Sequence, residues 1–156
     1  MDVFDAKLLN LIQGNNRLTT EQLADAVGLS PTACQRRLKK FRENGTIAKD
    51  IAVISPDAVG RRMTMIVQVT LEREQPEHLD RFKDSMLNTP EVMQCYYVTG
   101  SSEFILILTA KDMHDYESFT RRFLLNNTNI QHFQTNVVID HVKVGLAIPI
   151  EADEDA

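Results

Sequence analysis

Between positions 31 and 44 the chain carries Arg36, Arg37, Lys39, Lys40 and Arg42 against Glu43 alone, a local charge of +4. Side chains of this kind recognise polyanions. A guanidinium pairs bidentately with a guanine edge and a carboxamide with adenine, while an ammonium meets phosphate as a point charge. Cys34, Leu38 and Phe41 recur at i, i+4 and i+7 in the same stretch, so a helix here has an apolar back. Its opposite face then carries Thr32, Gln35, Arg36 and Lys39 toward base edges, with Lys40 and Arg42 flanking toward phosphates and Arg37 counted in the same DNA-facing set. Ser30 and the helix N-terminus add a phosphate contact. A charge run alone is better explained by a solvated face. The surrounding pattern tips the balance toward double-stranded DNA.

That pattern is a set of short helices. Asp2 caps a first helix, with Asp5 at its third position and Phe4, Leu8, Leu11 and Ile12 on one face; it ends near Gly14. Thr19 and Gln22 form a capping box for a second helix with Leu23, Ala24 and Val27 inward, stopped by Gly28. Ser30-Pro31 opens the third helix as N-cap and first helical residue, and Gly45 ends it. Two short helices joined by a three-residue turn make a helix-turn-helix. Ile47, Ile51 and Val53 alternate enough over Thr46 to Ile54 to predict a small β-wing, and the boundary is set at Gly60-Arg61-Arg62.

Beyond it the period changes. Met65, Val67, Val69 and Leu71 read as a strand; Leu79, Phe82, Met86 and Leu87 as a helix after Pro76; Val92 to Val98 and Phe104 to Ala110 as two more strands. Asp112 caps a helix with Tyr116, Phe119 and Phe123 inward, and a fourth strand is predicted over Val137 to Val144. The order is βαββαβ, an α+β arrangement with two helices on one face of an antiparallel sheet. Phe104 to Leu108 is apolar on both sides, so the bare face predicts a dimer formed with a second copy of the same sheet. The resulting division is 1–62, a helix-turn-helix domain with linker; 63–150, a regulatory domain; and 151–156, a frayed acidic tail.

The net charge of −5 over 156 residues hides an asymmetry. Residues 1–60 sum to +1 and residues 61–156 to −6, so the acidity belongs to the second half. No run of 18 apolar residues and no secretory leader is present, which predicts a cytoplasmic protein away from membranes. Cys34 and Cys95 lie 61 positions apart without metal or redox spacing, and His78, His114, His132 and His141 form no metal-spaced pair. No nucleophile-base pattern, phosphate loop or paired carboxylates stand out, so no catalytic residue, metal or cofactor is expected.

Taken together, Met1-Asp2 with Asp5 and Leu8-Leu9, Gly28-Leu29-Ser30-Pro31-Thr32 through Cys34, Arg37-Leu38, Gly45-Thr46-Ile47, Ala52-Val53-Ile54-Ser55-Pro56, Gly60 and Val98-Thr99-Gly100 resemble the Lrp/AsnC, or feast/famine, family of transcription regulators along nearly the whole chain. The resemblance implies a winged or simple helix-turn-helix, a ferredoxin-like regulatory domain, dimers assembling into tetramers or octamers, and an amino acid as effector. It also implies an effector site where dimers meet, carried over onto Tyr97, Thr99, Gly100, Ser101, Glu103, Met113, Asn136, Val137 and Val138. Glycine at 100 allows close approach of backbone amides to a carboxylate, and Glu103 offers an acceptor for an ammonium group. The family's acidic residue after this glycine and its following Asp-Tyr pair stand here as Ser101 and Glu103-Phe104. Two other functions fit the same plan: a siroheme-decarboxylase-like enzyme, which would need histidines around a tetrapyrrole, and an architectural DNA-binding protein that answers to no effector.

Overall fold

The computed structural model describes residues 1–72 and 75–153. It divides into two units: Met1–Ala52 together with the chain from Lys143 onward, and Val53–Val142.

In the first unit, α1 (Val3–Gly14), α2 (Thr20–Val27) and α3 (Pro31–Glu43) start where local chemistry dictates. Asp2 and Asp5 exchange side-chain-to-backbone bonds as a capping box at α1, and Thr19 and Gln22 do the same at α2. The Ser30 hydroxyl accepts the Ala33 N–H at 3.2 Å, with Pro31 in the first turn of α3. Gly28 ends α2 at φ +78°, a left-handed conformation that a side chain disfavours. Leu8, Leu9, Leu23, Ala24, Val27, Cys34, Leu38 and Phe41 make the core.

Phe4, expected on the inward face of α1, is exposed; it sits in the first turn, where the Arg37 guanidinium lies 6.0 Å above its ring. No strand forms among the described residues 46–54, where a wing was expected. Ile47 instead returns to the three-helix core, its N–H donating to the Phe41 carbonyl at 2.9 Å, and Ile51 is left exposed without a ladder partner.

The segment 143–153 belongs to this unit. Ile150 packs on its core, Gln13 both donates to the Ile148 carbonyl (2.7 Å) and accepts its N–H (3.0 Å), and Asn10 donates to the Ile150 carbonyl at 2.8 Å. The Asp153 N–H donates to the Met1 carbonyl at 3.1 Å and its carboxylate pairs with the terminal ammonium. The acidic tail expected to fray over 151–156 is thus tied down at Asp153, and residues 154–156 lie outside the described residues.

The second unit is a sheet with helices on one face. Its elements are β1 (Met63–Leu71), α4 (Pro76–Leu87), β2 (Val92–Tyr97), β3 (Phe104–Ala110), α5 (Met113–Thr120) and β4 (Ile130–Val137). The strand order is β2-β3-β1-β4 with every pairing antiparallel, the ferredoxin-like arrangement. Alternate residues Met65, Val67, Val69 and Phe104, Leu106, Leu108 are fully buried and pack with Phe82, Met86, Tyr116 and Phe119 from the helices. Leu87, expected inward, is exposed.

On the opposite face Ile66 is paired across from Ile107, and Ile105 lies between Gln68 and Tyr96. The fourth strand lies earlier than the predicted Val137 to Val144. Pairing with β1 selects Ile130, Phe133, Thr135 and Val137, while the more apolar run Val142, Val144, Leu146, Ile148 leads into the first unit. No helix among the described residues is long and apolar enough to cross a membrane.

Candidate functional site

Two groups of side chains carry the chemistry, one in each unit. The first is the outer face of α3. Cys34, Leu38 and Phe41 are buried at 0%, 7% and 5% exposure, which turns Thr32, Gln35, Arg36 and Lys39 outward in one row at helical spacing. Lys40 is also exposed, and neither Arg36 nor Lys40 has an ion-pair partner among the described residues. Lys39 pairs with Glu43 at 3.7 Å, an exposed pair of little energetic weight. Ser30 caps the helix, and its hydroxyl proton is free to point outward.

Two cations of the expected DNA-facing set behave differently. Arg42 donates through Nε to Asp50 at 2.9 Å, and this bond holds the Asp50 carboxyl below its ordinary range. Arg37 is only partly exposed and donates to Asp2 at 2.6 Å and to Asp5. The Asp2 carboxyl is held low first by the Asp5 N–H and then by Arg37, and the same two aspartates hold the Arg37 proton more tightly. The acidic partners were in plain view as the cap of α1; what sequence alone lacked was the packing of α1 against α3.

The second group surrounds the loop 98–103 between β2 and β3. Gly100 turns it at φ +137°, conformational space that favours glycine. Glu103 fastens its far side three times. Its carbonyl accepts the Val98 N–H (2.8 Å), its N–H donates to the Val69 carbonyl (3.1 Å), and its carboxylate accepts the Leu71 N–H (2.7 Å), which sits at a register shift in β1. Thr70 reaches the Ser101 carbonyl at 3.4 Å. Tyr97 packs on Phe104 at 5.2 Å between ring centres, under the Lys83 ammonium. Thr99, Gly100 and Ser101 are exposed.

The other expected effector residues lie elsewhere. Met113 starts α5 just beyond β3, and Asn136 and Val137 end β4, with the Val138 N–H on the Thr64 carbonyl. The β1 ladder pairs Val69 with Phe104, beside the loop, and Met63 with Ala110, beside Met113. Those pairs stand six residues apart along β1, roughly 20 Å at the rise of an extended strand. One chain therefore presents Tyr97, Thr99, Gly100, Ser101 and Glu103 at one end of its sheet and Met113, Asn136, Val137 and Val138 at the other.

At that second end a crevice of about 530 Å³ is lined by Arg61, Pro90, Glu91, Lys111, Asp115 and Arg122. Its charges are largely matched internally: Arg122 donates to Glu91 at 2.5 Å, and Arg61 donates to Thr109 and lies 3.8 Å from Asp115. The four histidines are dispersed, on α4 (His78), α5 (His114), β4 (His132) and beyond β4, where His141 bonds Thr64 at 3.0 Å.

Comparison with known proteins follows the same division. Residues 64–148 match the Lrp/AsnC ligand binding domain and residues 1–48 a winged helix-turn-helix DNA-binding domain. An HTH-type transcriptional regulator of Sinorhizobium fredii is 60% identical over 97% of this chain and 89% of its own length. The leucine-responsive regulatory protein of Haemophilus influenzae is 30% identical over 92% of this chain and 86% of its own. Among solved structures, a transcriptional regulator of Neisseria meningitidis in complex with L-Met superposes with a TM-score of 0.90 at 30% identity, covering 96% of both chains.

Proposed function

This chain belongs to the Lrp/AsnC family of helix-turn-helix transcriptional regulators, with a DNA-binding and a ligand-binding domain, and from that premise we propose how each domain does its work. The exposed row on α3 enters the major groove, with Gln35, Arg36, Lys39 and Thr32 at base edges and Ser30, Lys40 and the outer reach of Arg42 at phosphates. The observation that carries this is the burial of Cys34, Leu38 and Phe41, which leaves the row no other direction to face. Wild-type protein should select a preferred duplex from a random pool, with affinity falling steeply as salt is raised. Selection of no sequence at all would remove the reading.

The effector is an amino acid held by the loop 98–103, its carboxylate on exposed backbone amides at Thr99 to Ser101 and its ammonium shared with Glu103. The L-Met complex of the Neisseria regulator supports that ligand class. Because Met113, Asn136, Val137 and Val138 stand at the far end of the same sheet, the complete site takes its second half from another copy. The partly exposed Ile66, Ile105 and Ile107 on the helix-free face supply an apolar surface for a dimer, and further association of dimers into tetramers or octamers brings opposite sheet ends together. Calorimetry with the twenty common amino acids, alongside light scattering, tests this. Heat and a change in assembly with at least one of them are expected; silence from all twenty would leave DNA binding without an effector.

A further inference from the structure

We propose that Arg37 is a positioning residue for DNA reading: by joining α3 to the first turn of α1 it sets the pitch at which Gln35, Arg36 and Lys39 meet the groove, and it does not itself contact DNA. The proposal rests on the reading of α3 given above and deepens it.

Four carboxylate oxygens meet three donor nitrogens at this point. Asp2 Oδ1 accepts the Asp5 N–H at 2.7 Å and Asp2 Oδ2 accepts Arg37 Nη1 at 2.6 Å. Asp5 Oδ2 accepts the Asp2 N–H at 3.4 Å and Asp5 Oδ1 accepts the same Arg37 nitrogen. The capping box of α1 is therefore closed by a side chain from α3, 32 residues away from Asp5. The phenyl ring of Phe4, exposed for no reason of core packing, lies along the guanidinium at 6.0 Å.

The electrostatics argue against a second duty at phosphate. One cation faces two carboxylates, a local sum of −1, so a phosphate approaching Arg37 meets net repulsion where Arg36 and Lys40 offer attraction. Arg37 also flanks the buried stripe of Cys34, Leu38 and Phe41 rather than the outward row. Release of the clamp frees α3 to roll about that stripe. A roll of a few degrees displaces long side chains at the groove while leaving the number of phosphate contacts nearly unchanged.

The test measures binding of full-length protein to a duplex selected by the wild type and to a scrambled duplex, over a range of salt. Arg37→Gln should lower affinity for the selected duplex by about tenfold, the order of one misplaced base contact, with the salt slope retained. Affinity for the scrambled duplex should hold. Asp5→Asn, a milder change that keeps the side chain's size, should lower selected-duplex affinity too. That sign is diagnostic, since loss of an acidic charge by itself favours DNA.

Far-ultraviolet dichroism before each titration confirms that α1–α3 persist, and Asp5→Asn serves if Arg37→Gln does not fold. A salt slope reduced by about one in Arg37→Gln, the signature of a lost phosphate contact, overturns the proposal. So does unchanged or tighter binding by Asp5→Asn. Failure of the wild type to select any duplex counts against the reading of α3 itself, a separate result.

Discussion

The Glu103 carboxylate accepts the backbone N–H of Leu71 at 2.7 Å, so the residue offered to an effector's ammonium group already holds the end of β1. The two duties call on different properties. Pairing with an ammonium needs charge, whereas accepting one N–H needs only an oxygen.

Glu103→Gln should accordingly keep the stability of the second unit and lose amino-acid binding, while Glu103→Ala should lose both, with a stability cost of about 1–2 kcal/mol for the N–H left without its partner. Urea unfolding and calorimetry on the two variants separate these outcomes. Equal effector binding by Glu103→Gln and wild type would take the carboxylate out of the site.

On α3, Arg36→Ala should relax base preference, and Lys40→Ala should weaken all duplexes alike and reduce the salt slope by about one. A binding-site selection with each variant, followed by salt titration, reads both. A slope unchanged in Lys40→Ala would place that ammonium away from phosphate.

Gly28→Ala isolates backbone strain. A Cβ at this position meets no atom within 4 Å, so the whole cost comes from holding alanine at φ +78°. About 1 kcal/mol is expected, seen as a lower thermal midpoint for the first unit. A midpoint equal to wild type would mean that the turn adopts another conformation.

Asp2 titrates below its ordinary range in the folded chain, because the Asp5 N–H and then Arg37 favour its charged form. A depressed folded pKa contributes stability above the unfolded value of 3.8, and that contribution is lost as pH falls through the lower, folded value. The first unit of Asp2→Asn should therefore show a shallower loss of stability than wild type as pH is lowered through and below 4, by urea midpoints at each pH. Parallel curves would assign the acid sensitivity to other groups.

Much of this architecture is local and was readable for that reason. The caps at Asp2, Thr19 and Ser30, the stop at Gly28 and the Cys34, Leu38, Phe41 stripe each involve residues within a few positions of one another, and all stand where the sequence put them. The errors are non-local. The fourth strand was expected over Val137 to Val144, yet pairing with β1 selects Ile130 to Val137, and that pairing joins residues from 59 (Leu71 with Ile130) to 72 (Met65 with Val137) positions apart. Arg37 is indistinguishable by type from Arg36; only the packing of α1 onto α3 makes one a clamp and leaves the other outward. The split of the expected effector residues between opposite sheet ends is likewise a matter of register, on which spacing in the sequence is silent.

The return of residues 143–153 to Met1–Ala52 makes the sensor an insertion within the reading head, joined to it by two covalent leads. A fragment that stops at Ala52 lacks Ile150 beneath the three-helix core and strips Asn10 and Gln13 of their main-chain partners. Anyone transplanting this head onto a foreign sensor must splice the newcomer between the leads, because appending it after α3 discards a piece of the head itself.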